Sequence, residues 1–353
     1  MRARGYALTE LQAPLEALDF DLAPGSGEAL VEVCGCGVCH TDISFIEGVP
    51  TRRERPLVLG HEVSGRVVAL GEGADPALEG RAVIVPAVLP CGECALCAKG
   101  RGEICRRQVF PGSDTHGGFA SHLVVPARFL QPVDVPWGKP LARLSVIADA
   151  VSTAFQSVER SGLAEGDFAI FVGAGGVGGF GIQIARALGA RTLAIDIDPE
   201  RLAALREHGA EWTLNPTGRS AKEIKREVRA LAKESDLPAT EWKIFETSGT
   251  APGQELAFAL LGFGATLSVV GYHAGEVSVR LSNLMAFDAR ALGNWGCDPA
   301  RYPRAIDTVL SGLVALDPFI EFFPMSRVNE VIDRMRRGEQ RKRPILLPDF
   351  DRS

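Results

Sequence analysis

The chain has 353 residues, is 46% hydrophobic and carries a formal net charge of −6 without acidic or basic blocks. That length suggests two domains, and that charge argues against nucleic acid as the main partner. No apolar stretch follows the start or reaches the length of a membrane span, so neither a signal peptide nor a membrane partner is expected.

The eight cysteines, some at Cys-x-x-Cys spacing, point to bound metal in a reducing, cytoplasmic compartment rather than to secreted disulfides. Residues 28–33 alternate like a half-buried strand. Cys36-Gly37-Val38-Cys39-His40-Thr41-Asp42 follows, gathering a thiol, an imidazole, a hydroxyl and a carboxylate at the strand's end. After Pro56-Leu57-Val58-Leu59, Gly60-His61-Glu62 sets an imidazole beside a carboxylate. Further strands are expected at 65–70, 81–86 and 117–125, and helical periodicity is scarce before residue 150. Residues 1–150 therefore read as a β-rich domain of barrel type. Within it, Cys91, Cys94, Cys97 and Cys105 have the spacing of a closed tetrahedral zinc site, in a lobe of about residues 88–108. Asp149 follows in Ala148-Asp149-Ala150-Val151-Ser152-Thr153. Thiolate, imidazole and carboxylate together are a set that a catalytic zinc takes as three protein ligands, leaving one position open.

From residue 151 the pattern changes. Phe168-Ala169-Ile170-Phe171-Val172 is a continuous apolar run, as in a buried parallel strand. Gly173-Ala174-Gly175-Gly176-Val177-Gly178 follows at once, and residues 180–188 read as a helix. An acid, Asp196, ends the next strand at 192–195. Strand, glycine loop, helix and acid in this order form a dinucleotide-binding fingerprint. The glycines admit a pyrophosphate to the helix N-terminus, and Asp196 suits a ribose 2′-hydroxyl while repelling a 2′-phosphate, which favours NAD. Helices at 199–208, 219–233 and 254–261 alternate with strands at 212–214, 242–246, 265–271 and 291–295. This gives an α/β, doubly wound, six-stranded parallel sheet over residues 151–296. Residues 297–353 read as helix, a strand at 318–321 and a helix at 328–337, returning to the first domain.

With these motifs in place, the chain resembles the zinc-dependent medium-chain alcohol dehydrogenases nearly end to end, which implies a GroES-like catalytic domain beside a Rossmann domain. The resemblance makes Cys39, His61 and Asp149 ligands of a catalytic zinc, Glu62 an alternative ligand, and the four-cysteine lobe a structural zinc site, so two zinc ions per chain. Asp149 stands where cysteine is commoner, and fewer thiolates should make the zinc a stronger Lewis acid. The resemblance also gives Thr41 the relay hydroxyl. Ser44 stands where some relatives end that relay with a histidine. It places His40 on the cofactor pyrophosphate, Thr153 behind the nicotinamide, Val177 on the adenosine side and Arg201 near the adenosine ribose. Asp42 reads as a group that orients the zinc corner. Cys34 and Cys36 read as packing, and His116, His122, His208 and His273 as structural or surface residues.

Residues 270–275 and 291–297 resemble one branch, the 6-hydroxycyclohex-1-ene-1-carbonyl-CoA dehydrogenases of anaerobic benzoyl-CoA degradation. That resemblance implies a CoA thioester of a ring alcohol as substrate, with hydration of a ring double bond as an associated activity. Arg52, Arg53 and Arg55 then become candidates for its phosphates, although a solvated basic loop explains them equally. A polyol or simple secondary alcohol needs no such entrance, and a retired enzyme kept as a zinc-binding structural protein is the reading from another class. The family implies a homo-oligomer, a dimer or tetramer.

Overall fold

A computed structural model describes residues 1–350. The chain divides into two compact units, one of residues 1–152, 296–306 and 319 onward, the other of residues 153–295 and 307–318.

The first unit is built on a seven-stranded sheet. Its path runs Ile320–Pro324, Arg343–Leu347, Glu28–Gly37, Glu62–Leu70, Ala82–Val85, Gln131–Pro132, and His122–Pro126 also pairs with Glu28–Gly37. A three-stranded sheet orders Glu16–Asp21, Arg2–Leu8 and Leu57–Val58. The Glu28–Gly37 strand is longer than its sequence alternation suggests and mostly buried on both faces. It is central, with antiparallel partners along its edges and residues 139–148 packed on it. Its register sets Gly37 opposite Glu62 and Cys36 opposite both Val63 and Leu346. One apolar core, including Val31, Val63, Phe119 and Met325, fills this unit.

The second unit holds a six-stranded parallel sheet in the order Trp212–Leu214, Arg191–Ile195, Phe168–Val172, Lys243–Glu246, Thr266–Val269, Arg290–Gly293. The fully buried Phe168–Val172 strand lies at the centre, where the strand order reverses; ligands of such sheets bind there, beyond the carboxyl ends of the strands. Ile170, Ile244 and Leu267 carry the core.

Several expectations need correction. The first 150 residues contain the helices His40–Ile46 and Lys139–Ala142, with a 3₁₀ stretch at Arg143–Ala148, all too short to show a helical period. The strand expected at 117–125 begins only at His122. Gly117, Gly118 and Phe119 instead donate to the carbonyls of Val58, Gly60 and Leu59. Residues 307–318 belong to the second unit, not the first. The last strand, Arg343–Leu347, had no period long enough to read. Among the described residues no helix is long and apolar enough to cross a membrane.

Candidate active site

The carboxyl end of the Glu28–Gly37 strand delivers Cys39 as the N-terminal cap of the His40–Ile46 helix. Asp42, in the first turn, takes the Cys39 backbone N–H on Oδ2 (2.9 Å) and the Gly60 N–H on Oδ1 (3.1 Å). One buried carboxylate thus ties the thiol's corner to the residue before His61. The same Oδ1 lies 3.4 Å from His61 Nδ1, and Asp149 Oδ2 lies 3.4 Å from His61 Nε2. Cys39 Sγ is 3.9 Å from Asp149 Oδ2. Donor atoms of Cys39, His61, Glu62 and Asp149 all lie within 4.8 Å of one another.

This geometry fits a cation. Ligands about 2.0–2.3 Å from a tetrahedral zinc stand roughly 3.3–3.8 Å apart, close to the separations here. His61 is 1% exposed, yet neither ring nitrogen makes a hydrogen bond. Buried polar atoms are seldom left without partners. Burial opposes a charge on His61, but Asp42 first, then Asp149 and Cys39, outweigh it and raise its pKa well above the usual histidine range. The acidic groups around His61 thus favour positive charge there.

Glu62 stands within this cluster and is also tied to Arg343. Arg343 donates to both of its oxygens, Nε to Oε2 at 3.0 Å and Nη2 to Oε1, and Ala150 N–H donates to Oε1 at 3.2 Å. Both side chains are buried. Burial pushes the Glu62 carboxyl up against the pull of Arg343. No sequence signal marks Arg343, which lies 281 residues away.

Cys91, Cys94, Cys97 and Cys105 form the second cluster. The sulfur separations of 3.9 Å for Cys91–Cys97, 3.5 Å for Cys94–Cys97 and 3.7 Å for Cys94–Cys105 match the roughly 3.8 Å of a zinc with 2.3 Å bonds. The Glu93 backbone amide leads in lowering Cys91 to about 6, while burial and the neighbouring thiols push Cys97 up to about 12. Four sulfurs so close could all be thiolates only with a shared cation between them. None of the eight cysteines is in a disulfide, and Cys34 and Cys36 stay outside both clusters.

In the second unit the Phe168–Val172 strand runs into Gly173, which turns with φ 93°, and the helix Gly176–Ala187 begins with Gly175 as its cap. A side chain at Gly178 would place Cβ 2.0 Å from the Gly173 carbonyl oxygen and 2.6 Å from Thr247 Oγ1. At Gly175 it would meet nothing within 4 Å. Gly178 is thus required by the fold, whereas Gly175 leaves open space at a helix N-terminus, as an anion needs. Asp196 Oδ2 accepts from Ala174 N–H (2.7 Å), Oδ1 accepts from Asp198 N–H (2.9 Å), and Arg201 Nη1 lies 3.2 Å from both oxygens. Arg201 thus engages Asp196 and tempers its charge. Glu246, also unread in the sequence, is buried below this loop and accepts from the N–H groups of Ser248 and Gly249.

Thr41 Oγ1 lies 3.5 Å from Cys39 Sγ, beside the cluster. Ser44 donates to the His40 carbonyl (3.0 Å), a bond within its own helix. His40 is exposed and Thr153 is buried. Arg52 donates to the Gln108 carbonyl (3.1 Å) and pairs with Asp114 at 3.4 Å, while Arg53 and Arg55 are exposed. His116 accepts from Val58 N–H and packs on Phe20; burial lowers its pKa to about 4, as suits a structural role.

Residues 25–135 match the alcohol dehydrogenase GroES-like domain and residues 176–311 the zinc-binding dehydrogenase family. A 2-dehydro-3-deoxy-L-galactonate 5-dehydrogenase of Pseudoalteromonas atlantica is 30% identical, over 85% of each chain. Galactitol 1-phosphate 5-dehydrogenase of Escherichia coli is 31% identical, over 76% of this chain and 75% of its own. The solved structure of an alcohol dehydrogenase from Aeropyrum pernix superposes with a TM-score of 0.89 at 24% identity, covering 98% of this chain and 100% of that one. The chain belongs to the zinc-dependent medium-chain alcohol dehydrogenase family and is an oxidoreductase of that type.

Proposed function

We propose that the chain oxidises a secondary alcohol or polyol, passing hydride to NAD, with Cys39, His61 and Asp149 holding a catalytic zinc and the four-cysteine lobe a structural one. The observation that carries this is His61, whose two buried and unbonded ring nitrogens stand among the donor atoms of Cys39 and Asp149. Zinc bound there supplies Lewis acidity that lowers the pKa of an alcohol. Asp42 holds His61 and the Cys39 backbone in one orientation, as outer carboxylates do for metal-bound histidines. The Thr41 hydroxyl, beside Cys39, takes the alcohol's proton and passes it outward; with Ser44 engaged by His40, water completes that path. Glu62 serves first as the charge partner of Arg343, because leaving it would strand a buried guanidinium. Gly173, Gly175, Gly176, Val177 and Gly178 shape the pyrophosphate cradle, His40 and Thr153 meet the cofactor, and Asp196 with Arg201 meets its adenosine ribose.

The dehydrogenases of a galactonate derivative and of galactitol 1-phosphate support a hydroxylated, sugar-like substrate. The ring-alcohol CoA thioester, with its associated hydration, is the second reading, favoured by the exposed Arg53 and Arg55. NAD reduction with a polyol phosphate, a simple secondary alcohol and the thioester separates the two. We expect turnover of a free or phosphorylated alcohol. Turnover of the thioester alone would replace the first reading by the second, and no turnover of any alcohol would remove both.

We also propose a cytoplasmic homo-oligomer, a dimer or tetramer. Arg290–Gly293 is an edge strand of the parallel sheet, and Leu281 and Met285, just before it in the chain, are 69% and 79% exposed, a combination that favours pairing with another chain. A monomer by light scattering at micromolar concentration would refute the oligomer.

A further inference from the structure

We propose that Tyr302 is a positioning residue for the metal centre, fixing the backbone from which Asp149 reaches into it. The proposal rests on the reading of Cys39, His61 and Asp149 as ligands. Asp149 has a short side chain, so its carboxylate goes where its backbone is put. That backbone (φ −139°, ψ −64°) lies between the 3₁₀ stretch and the Ala150–Arg160 helix, outside the regular helical and strand regions. Buried side chains anchor it on both sides. On one side, Tyr302 donates its hydroxyl hydrogen to the Ala148 carbonyl, which also accepts from Ala87 N–H at 3.2 Å. The same Ala87 N–H lies 3.3 Å from the Tyr302 oxygen, closing a triangle. On the other side, Ala150 N–H donates to Glu62, itself held by Arg343. Both peptide groups flanking Asp149 are therefore anchored by residues far away in the chain.

Tyr302 is fully buried. Burial holds its phenol well above the usual tyrosine range, with Cys297 and Asp149 adding to the effect, so it remains a donor. The ring fills space in any case; what the proposal concerns is its one polar atom.

Tyr302→Phe isolates that atom. It keeps the ring and leaves the Ala148 carbonyl its Ala87 partner, so the chain is expected to fold and to bind NADH as before. Removing a direct partner of a metal ligand costs about 10–100-fold in metal affinity, and a change that reaches Asp149 through its backbone should cost up to the lower end of that range. Chelator competition on the cobalt-substituted enzyme should show that loss at the catalytic centre only, together with a shifted cobalt absorption band, while the cysteine lobe keeps its metal. In an Asp149→Asn background the same change should add little, since interacting residues do not act additively. Replacing Tyr302 by 4-aminophenylalanine, which keeps the ring and sets an N–H donor where the hydroxyl stood, should recover part of the affinity, and it serves as the comparison with wild type if the Phe variant does not fold. Unchanged affinity and spectrum in Tyr302→Phe would overturn the proposal, as would equal losses in the Phe and 4-aminophenylalanine variants. If Asp149→Asn itself binds both metals as tightly as wild type, the ligand assignment fails instead, and the two failures are told apart.

Discussion

At the residue scale, burial strips His61 of solvent while Asp42 and Asp149 stand 3.4 Å from its two nitrogens. A neutral imidazole could bond only one of them as donor, and neither contact has hydrogen-bond geometry. A metal held by His61 would take one nitrogen and leave the other to donate to a carboxylate, as outer carboxylates do for metal-bound histidines. The proposed ligands Cys39 and His61 were legible in local polar patterns beside the strands Glu28–Gly37 and Glu62–Leu70, whereas Asp149, between a 3₁₀ stretch and a helix, was legible only through the family resemblance. Their supports were not. Arg343 and Tyr302 reach Glu62 and Ala148 across 281 and 154 residues, and neither side chain carries any local mark of that role. Arg52 shows the reverse limit: a basic triplet is easy to see, but its pairing with Asp114 and Gln108 depends on a neighbouring loop.

At the scale of elements, the glycine loop was legible because strand, turn and helix are contiguous there. The sequence could not say which glycine serves the fold and which the ligand. Gly178 lies 2.0 Å, by its missing Cβ, from the Gly173 carbonyl, whereas Gly175 faces open space. Gly178→Ala should therefore lower the melting temperature, as overpacking costs about 1–3 kcal/mol. Gly175→Ala should leave melting unchanged and weaken NADH binding about tenfold or more, measured by fluorescence titration, because its methyl group would occupy the pyrophosphate's approach. Equal behaviour of the two variants would contradict this division. Short helices such as His40–Ile46 escaped notice because seven residues span barely two turns. The Glu28–Gly37 strand was under-read because a central strand buries both faces and so loses alternation beyond residue 33.

At the scale of the whole molecule, the family match covers both units, residues 25–135 and 176–311. The alternation of strand and helix after residue 168 was enough to read the parallel sheet, since each strand there is contiguous and apolar. The tail was harder. It contributes Tyr302, Arg343 and two sheet strands to the first unit, yet sends residues 307–318 to the second. Long-range pairing of this kind leaves little trace in local periodicity. The proposed function turns on Asp149, which with Cys39 and His61 would hold a metal that the chemistry needs and the fold does not. Zinc per chain, determined by elemental analysis on wild type and Asp149→Asn and set beside their rates of NAD reduction, tests it directly. Two zinc ions in wild type, one in a folded Asp149→Asn protein, and a rate reduced more than about a hundredfold are expected. Two zinc ions and an undiminished rate in Asp149→Asn would contradict it.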